Sequence, residues 1–139
     1  MTAVYGERMT GLTPYLTFPG TARDALSFYR GVFGGDLVLN TFAEFERVDG
    51  PGDFIAHGML TGPVALFASD GGPGDEALQL RGVMFALLGA AEPAVLETWF
   101  ARLADGGRIV DDLQLRAWGD HDGTVTDRFG VTWLIGYQG

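Results

Sequence analysis

The chain predicts an α+β fold: two tandem βαβββ modules forming a curled mixed sheet around a cleft. Three observations predict it. Residues 22–38 return 72 positions later as 94–110, with Ala22/Ala94, Phe28/Phe100, Arg30/Arg102, Gly34/Gly106, Gly35/Gly107 and Val38/Val110 identical and Leu37 opposite Ile109. A repeat sets architecture before any single motif does. Each half also orders its apolar periodicity as one strand, one helix and three strands. Finally, most of the 22 glycines fall at element ends, as short strands joined by tight turns require. The chain is read as a single domain over 1–139, with module 1 at about 12–69, a linker at 70–81 and module 2 at about 82–137.

The elements follow in order. Residues 13–18 read as a strand, with Pro14 near its start, where proline is tolerated. Pro19-Gly20 ends it, and Thr21 with Asp24 three residues on offers a capping box. Ala22, Ala25, Leu26, Tyr29, Val32 and Phe33 keep helical spacing until Gly34-Gly35 stops the helix. Strands follow at 37–46, 54–61 and 63–69, the last two joined by the Thr61-Gly62-Pro63 turn. The polar, glycine-rich residues 70–76 start the linker. The apolar run 83–88 suits a buried strand, and Pro93 suits a first helical position. Val95, Leu96, Trp99, Phe100 and Leu103 form one stripe, which Gly106-Gly107 ends. Strands then fall near 108–117, 122–126 and 131–137. One helix covers one face of each sheet and none covers the other; exposed strand edges make pairing with a second chain plausible.

Composition narrows the function. A net charge of −9 repels phosphate backbones and anionic membrane faces, so neither nucleic acid nor membrane is expected as a partner. The chain has no cysteine, which removes disulfides, thiol catalysis and thiolate metal sites. Met1–Thr10 carries Glu7 and Arg8 and no apolar core, so a secretory signal is not expected, and no apolar run approaches the ~20 residues that span a bilayer. The expected location is cytoplasmic.

Thr13-Pro14-Tyr15-Leu16-Thr17-Phe18, Ala25-Leu26-Ser27-Phe28-Tyr29 and Val32-Phe33-Gly34-Gly35 resemble the opening of PhnB-like proteins. These belong to the glyoxalase/bleomycin-resistance/dioxygenase group, the vicinal oxygen chelate superfamily. The closing segment is similar too, in Trp118-Gly119-Asp120 and in Asp127, Phe129, Gly130 and Trp133 of an Asp-x-Phe-Gly-x-x-Trp ending. The resemblance covers residues 12–137 and implies the paired βαβββ fold, a homodimer and a small-molecule ligand. In catalytic members it also implies a divalent metal, held by His, Gln or Glu on the first and last strands of each module. This chain departs there. Residues 12–18, 63–69, 82–89 and 131–137 hold no His, Gln, Glu or Asp, and Leu66 and Leu134 stand near positions where glutamate is implied. Divalent ions need oxygen or imidazole ligands, so no metal and no other cofactor is expected.

The candidate ligand-binding residues are Tyr15, His57, Phe67, Arg116, Trp118 and Asp120. His57 either enters the cleft as a base or hydrogen-bonding group, and is then the one catalytic candidate, or is held within the sheet. Trp118 either walls a pocket, with Arg116 charging an anionic substrate group, or closes the core. His121, between Asp120 and Asp122, reads as a solvated turn. Tyr15 reaches the cleft if Leu16 and Phe18 face the helix. Glu44, Glu46 and Asp49 read as surface charge, and Phe129 and Trp133 as a seal on the last turn. Each Gly-Gly pair follows a helix, so neither presents a helix N-terminus to a phosphate, and no methyl-donor loop is visible.

The leading expectation is a metal-free protein that binds a small molecule in the sheet cleft. The alternatives are a lyase, isomerase or dioxygenase-type enzyme of the same superfamily, using His57 or an unusual metal site, and a module whose clefts are filled by its own side chains.

Overall fold

In the computed structural model, which describes residues 11–139, each half of the chain forms a four-stranded mixed sheet carrying one helix. The expectation for Met1–Thr10 lies outside the described residues. The first half runs β1 (Tyr15–Phe18), α1 (Ala22–Phe33), β2 (Asp36–Thr41), β3 (Ile55–Thr61) and β4 (Leu66–Asp70). The second runs β5 (Phe85–Leu88), α2 (Pro93–Ala104), β6 (Arg108–Leu115), β7 (Asp120–Thr126) and β8 (Thr132–Gln138). The strand orders, β1-β4-β3-β2 and β5-β8-β7-β6, are the same topology. In both sheets the first and last strands pair in parallel and the remaining neighbours antiparallel. The sequence repeat is therefore a repeat of architecture.

The repeated glycine pair is fixed by close approach as well as by helix capping. Gly34 caps α1 with φ 78°, and Gly106 follows α2 with φ 77°, one residue after its cap at Asp105. A Cβ on Gly35 would strike the Thr61 carbonyl oxygen, and one on Gly107 the Thr126 carbonyl oxygen. In both halves the chain leaving the helix thus lies against the end of the third strand. Inside the helices the buried faces match one residue off the identity register: Ala25, Tyr29 and Val32 correspond to Leu96, Phe100 and Leu103.

Three local expectations are corrected. Thr21 makes no side-chain capping bond; Ala22 N–H at the start of α1 donates instead to Asp70 Oδ1 at 2.9 Å. Asp70, read as the first linker residue, is the buried end of β4, and its Oδ2 accepts from Ile55 N at 2.8 Å. One carboxylate therefore joins α1, β3 and β4. The strand expected over 37–46 ends at Thr41, because Phe42 N–H bonds to the Phe54 carbonyl at 2.7 Å and opens a loop.

The two halves share one core, with α1 packed against α2. Phe33 has its ring 5.0 Å from Trp99 and 5.2 Å from Trp133. At the centre lies Asp127, 3% exposed. Its Oδ1 accepts from the backbone N–H of Phe129 and Val131, at 2.8 and 3.2 Å, folding the β7–β8 turn. Its Oδ2 accepts from Trp133 Nε1 at 2.9 Å and, across the halves, from the Tyr29 hydroxyl at 2.7 Å. Burial first, and then the Asp127 charge and hydrogen bond, push the Tyr29 pKa far above its ordinary value and keep the phenol protonated.

Asp127→Ala strands the Tyr29 hydroxyl, the Trp133 indole N–H and the turn amides in a closed interior. At 1–3 kcal/mol for each buried unpaired group, denaturant unfolding should show a loss of about 3 kcal/mol or more. Tyr29→Phe, which removes one of these bonds, should cost about 1–2 kcal/mol.

Candidate functional site

Strand alternation sends every second residue of each sheet away from its helix. In the first sheet Leu16, Phe18, Leu66 and Ala68 join the core beneath α1. Tyr15, Thr17, Phe67 and Ser69 therefore occupy the helix-free face. On β3, a Cβ at Gly58 would lie 2.5 Å from Leu26 Cδ1, so Gly58 faces the helix and its neighbour His57 does not.

That face brings together three of the expected site residues. Tyr15 and Phe67 are register partners across β1 and β4. The Tyr15 ring stacks on the His57 imidazole with centroids 5.5 Å apart, and Phe67 stands edge-on to both, at 6.5 and 5.8 Å. Tyr15 Oη and His57 Nδ1 share a hydrogen bond of 2.9 Å, with the donor set by the imidazole tautomer. Tyr15 is 48% exposed, while His57 and Phe67 are buried. Burial lowers the His57 pKa, so the ring is neutral near pH 7.

The other three expected residues lie on the second half. Arg116 donates from Nε to Asp122 Oδ1 at 2.8 Å and from Nη2 to Asp111 Oδ2 at 2.5 Å. The Asp111 bond first, and then the Asp122 bond, hold its pKa above the ordinary arginine value. Its guanidinium therefore already carries two carboxylates. Trp118 sits in the turn leading into β7, between Arg116 and Asp120, and is 69% exposed, so it does not close the core. Asp120 opens β7 and lines a depression of about 400 Å³ with Leu88, His121, Asp122, Tyr137 and Gln138. Gly136 lies in the same face: a Cβ there would lie 3.0 Å from Asp122 Cβ and 3.1 Å from Leu88 Cδ2.

His121 belongs to β7 rather than to a solvated turn, and its ring stacks on Tyr137 at 4.7 Å. Strand alternation turns its ring to the side opposite the Asp120 and Asp122 side chains, although all three border the same depression. Among the described residues no group of three or more His, Asp or Glu side chains could hold a metal ion.

One residue beside the first cluster was not anticipated. Arg47 lies in the loop joining β2 to β3; the sequence predicts a pocket-shaping loop over 45–55 there, with Glu44, Glu46 and Asp49 as surface charge, but does not single out Arg47. Its signal was Gly50-Pro51-Gly52, a breaker cluster that ends a strand early and leaves an arginine between acids in a loop.

Comparison with known proteins agrees with this architecture. The model of the Glyoxalase/Bleomycin resistance protein/Dioxygenase superfamily matches residues 11–135. Protein YjdN of Escherichia coli (strain K12) is 28% identical over 138 residues, spanning 89% of this chain and 92% of YjdN. The structure of protein PA1353 from Pseudomonas aeruginosa superposes with a TM-score of 0.75 at 33% identity, covering 94% of this chain and 98% of that one. A Bacillus cereus structure, described as a putative 3-demethylubiquinone-9 3-methyltransferase, PhnB protein, gives a TM-score of 0.74 at 20% identity, over 93% and 98% of the two chains; that likeness is one of fold. Among the described residues no helix is long and apolar enough to cross a membrane.

The lowered pKa of His57 makes stability depend on pH in a definite direction. Below about pH 6.5 the unfolded chain takes up a proton that the buried imidazole resists, so the folded state loses stability until pH passes its own lower pKa. Melting temperature should therefore fall more steeply from about pH 7.5 to about pH 5 in the wild type than in His57→Gln. Equal slopes would remove His57 as the group responsible.

Proposed function

The chain belongs to the Glyoxalase/Bleomycin resistance protein/Dioxygenase superfamily, and we propose that within it this protein binds a small molecule against its helix-free sheet faces. The observation that carries this reading is the Tyr15–His57–Phe67 group. It is an apolar, aromatic wall with one converging pair of hydrogen-bonding groups, the usual make-up of a small-molecule site. The depression on the second sheet, edged by Asp120 and Asp122, is a separate and more polar surface.

We read this site as working without the divalent metal of the superfamily's catalytic members. The helix-free positions of the first and last strands are Tyr15 and Thr17 on β1, Phe67 and Ser69 on β4, Ala86 and Leu88 on β5, and Leu134, Gly136 and Gln138 on β8. They offer neutral hydroxyls and one amide, a donor set that does not fit a divalent ion. Asp70 ends β4, but both its oxygens are taken by the amides of Ala22 and Ile55.

A homodimer in the cytoplasm is part of the reading. Val38 and Leu88 lie on helix-free faces and are 45% and 59% exposed, the kind of apolar surface that a partner covers. A second reading, catalysis with His57 as general base, is favoured by its burial-lowered pKa, since a neutral imidazole can accept a proton near pH 7. The methyltransferase description belongs to the Bacillus protein and is not carried over.

The test is a thermal-shift screen of a chemical library, repeated on His57→Gln and Phe67→Ala. Hits should raise the wild-type melting temperature, and the shift should shrink in both variants. A library without hits, or hits indifferent to both substitutions, would overturn the binding reading. Stoichiometric zinc, nickel or iron in protein purified without chelator would overturn the metal-free part, and a monomer in sedimentation analysis would overturn the dimer.

A further inference from the structure

We propose that Arg47 determines specificity at the Tyr15–His57–Phe67 face by selecting ligands that join an anionic group, such as a carboxylate or sulfonate, to an aromatic body. This rests on the reading that the face binds a small molecule, and adds to it the class of ligand.

The loop between β2 and β3 is built around Arg47. Phe42 is fully buried, and the loop is pinned at its base by Phe42 N–H to Phe54 O at 2.7 Å and Ala43 N–H to Gly52 O at 3.0 Å. Arg47 N–H closes back on Phe42 O at 2.8 Å, and the guanidinium carbon lies 3.8 Å above the Phe42 ring centroid. Nε and Nη2 bind the two oxygens of Asp49 at 3.0 and 2.6 Å. The side chain is thus held in one place while 33% of it stays exposed. A planar fork fixed in advance loses little freedom when it meets a second anion. It has five N–H donors, of which Asp49 uses two along one edge.

Arg47 stands at the rim of the aromatic face. A Cβ at Gly72 would lie 2.7 Å from Arg47 Nη2, and one at the adjacent Gly71 would lie 3.3 Å from Thr17 Cγ2. Thr17 follows Tyr15 by two residues on the helix-free side of β1. These two glycines therefore lie between the guanidinium on one side and β1 on the other. The Asp49 hydrogen bond first, and then the Asp49 and Asp75 charges, hold the Arg47 pKa above the ordinary arginine value. In a chain of net charge −9, this guanidinium is flanked by Asp49, which it binds, and by Asp75, whose Oδ2 a Cβ at Gly72 would approach to 3.5 Å. Asp49, two residues along and 44% exposed, holds the place that a ligand carboxylate would contest. In this arrangement the ligand's ring lies against Tyr15, and its charge reaches Arg47.

Fluorescence titration of the intact protein tests this with two naphthalene probes of similar body, anionic anilinonaphthalene sulfonate and neutral phenylnaphthylamine. Arg47→Met keeps the apolar stem over Phe42 and removes the charge. It should weaken the sulfonate about tenfold and leave the neutral probe unchanged. Asp49→Asn should tighten the sulfonate several-fold, whereas an Arg47 that only staples the loop would give no gain. Melting curves check that both variants fold. If Tyr15→Ala weakens both probes but Arg47→Met does not separate them, or Asp49→Asn fails to tighten the sulfonate, the inference falls and binding at the face stands. If Tyr15→Ala leaves both probes unaffected, the binding reading falls, and the inference with it.

Discussion

A single buried carboxylate organises this molecule. Asp127 sits where the two halves meet, and each of its oxygens accepts two N–H or O–H bonds. Burying a charge is costly unless its lone pairs are met, and here four donors from three kinds of group meet them. Two of those donors shape the β7–β8 turn, one fixes the Trp133 indole, and one is the Tyr29 hydroxyl of the other half's helix. Hydrophobic contact alone would let α1 slide over β8. A directed bond from Tyr29 to Asp127 sets the register in which Phe33 meets both Trp99 and Trp133.

Asp70 does similar work inside the first half. Its two oxygens take the first amide of α1 and the first amide of β3, so the helix start is tied to the sheet rather than capped by its own Thr21. With one face of each sheet committed to its helix in this way, the opposite faces are left for other roles. The repeat puts different chemistry on them. Counting four residues back from Thr61, the β3 partner of Asp36, gives His57; counting four back from Thr126, the β7 partner of Arg108, gives Asp122. One half presents an imidazole paired with a phenol, and the other presents a carboxylate paired with Arg116. Duplicated topology thus carries an asymmetric surface.

Much of this was legible in the chain, residue by residue. Ala22, Ala25, Leu26, Tyr29, Val32 and Phe33 announced α1 and its buried face, and Pro93 marked the first residue of α2. Tyr15, His57 and Phe67 could be nominated separately. Their meeting depended on Leu16 and Phe18 turning inward, which the run Pro14–Phe18 left undecided. The β2 strand was drawn too long because the local Thr41-x-x-Glu44 pattern went unread: Glu44 N–H donates to Thr41 Oγ1 and Thr41 N–H to Glu44 Oε1, each at 3.1 Å, and a bond from Phe42 to Phe54, twelve residues away, pins the loop that follows. Asp70 looked like linker, since a carboxylate beside glycines reads as solvated until its two amide partners come into view.

By itself the sequence determined the order of elements, the duplication and the apolar faces, because these follow from spacing along the chain and from the backbone freedom of glycine and proline. The tertiary structure alone decided which acids are buried, which side of each strand faces the helix-free surface and which arginine stands beside the aromatic cluster. Those outcomes depend on hydrogen bonds and contacts between residues far apart in the chain, such as Tyr29 with Asp127 and Ala22 with Asp70, and local periodicity carries no record of them.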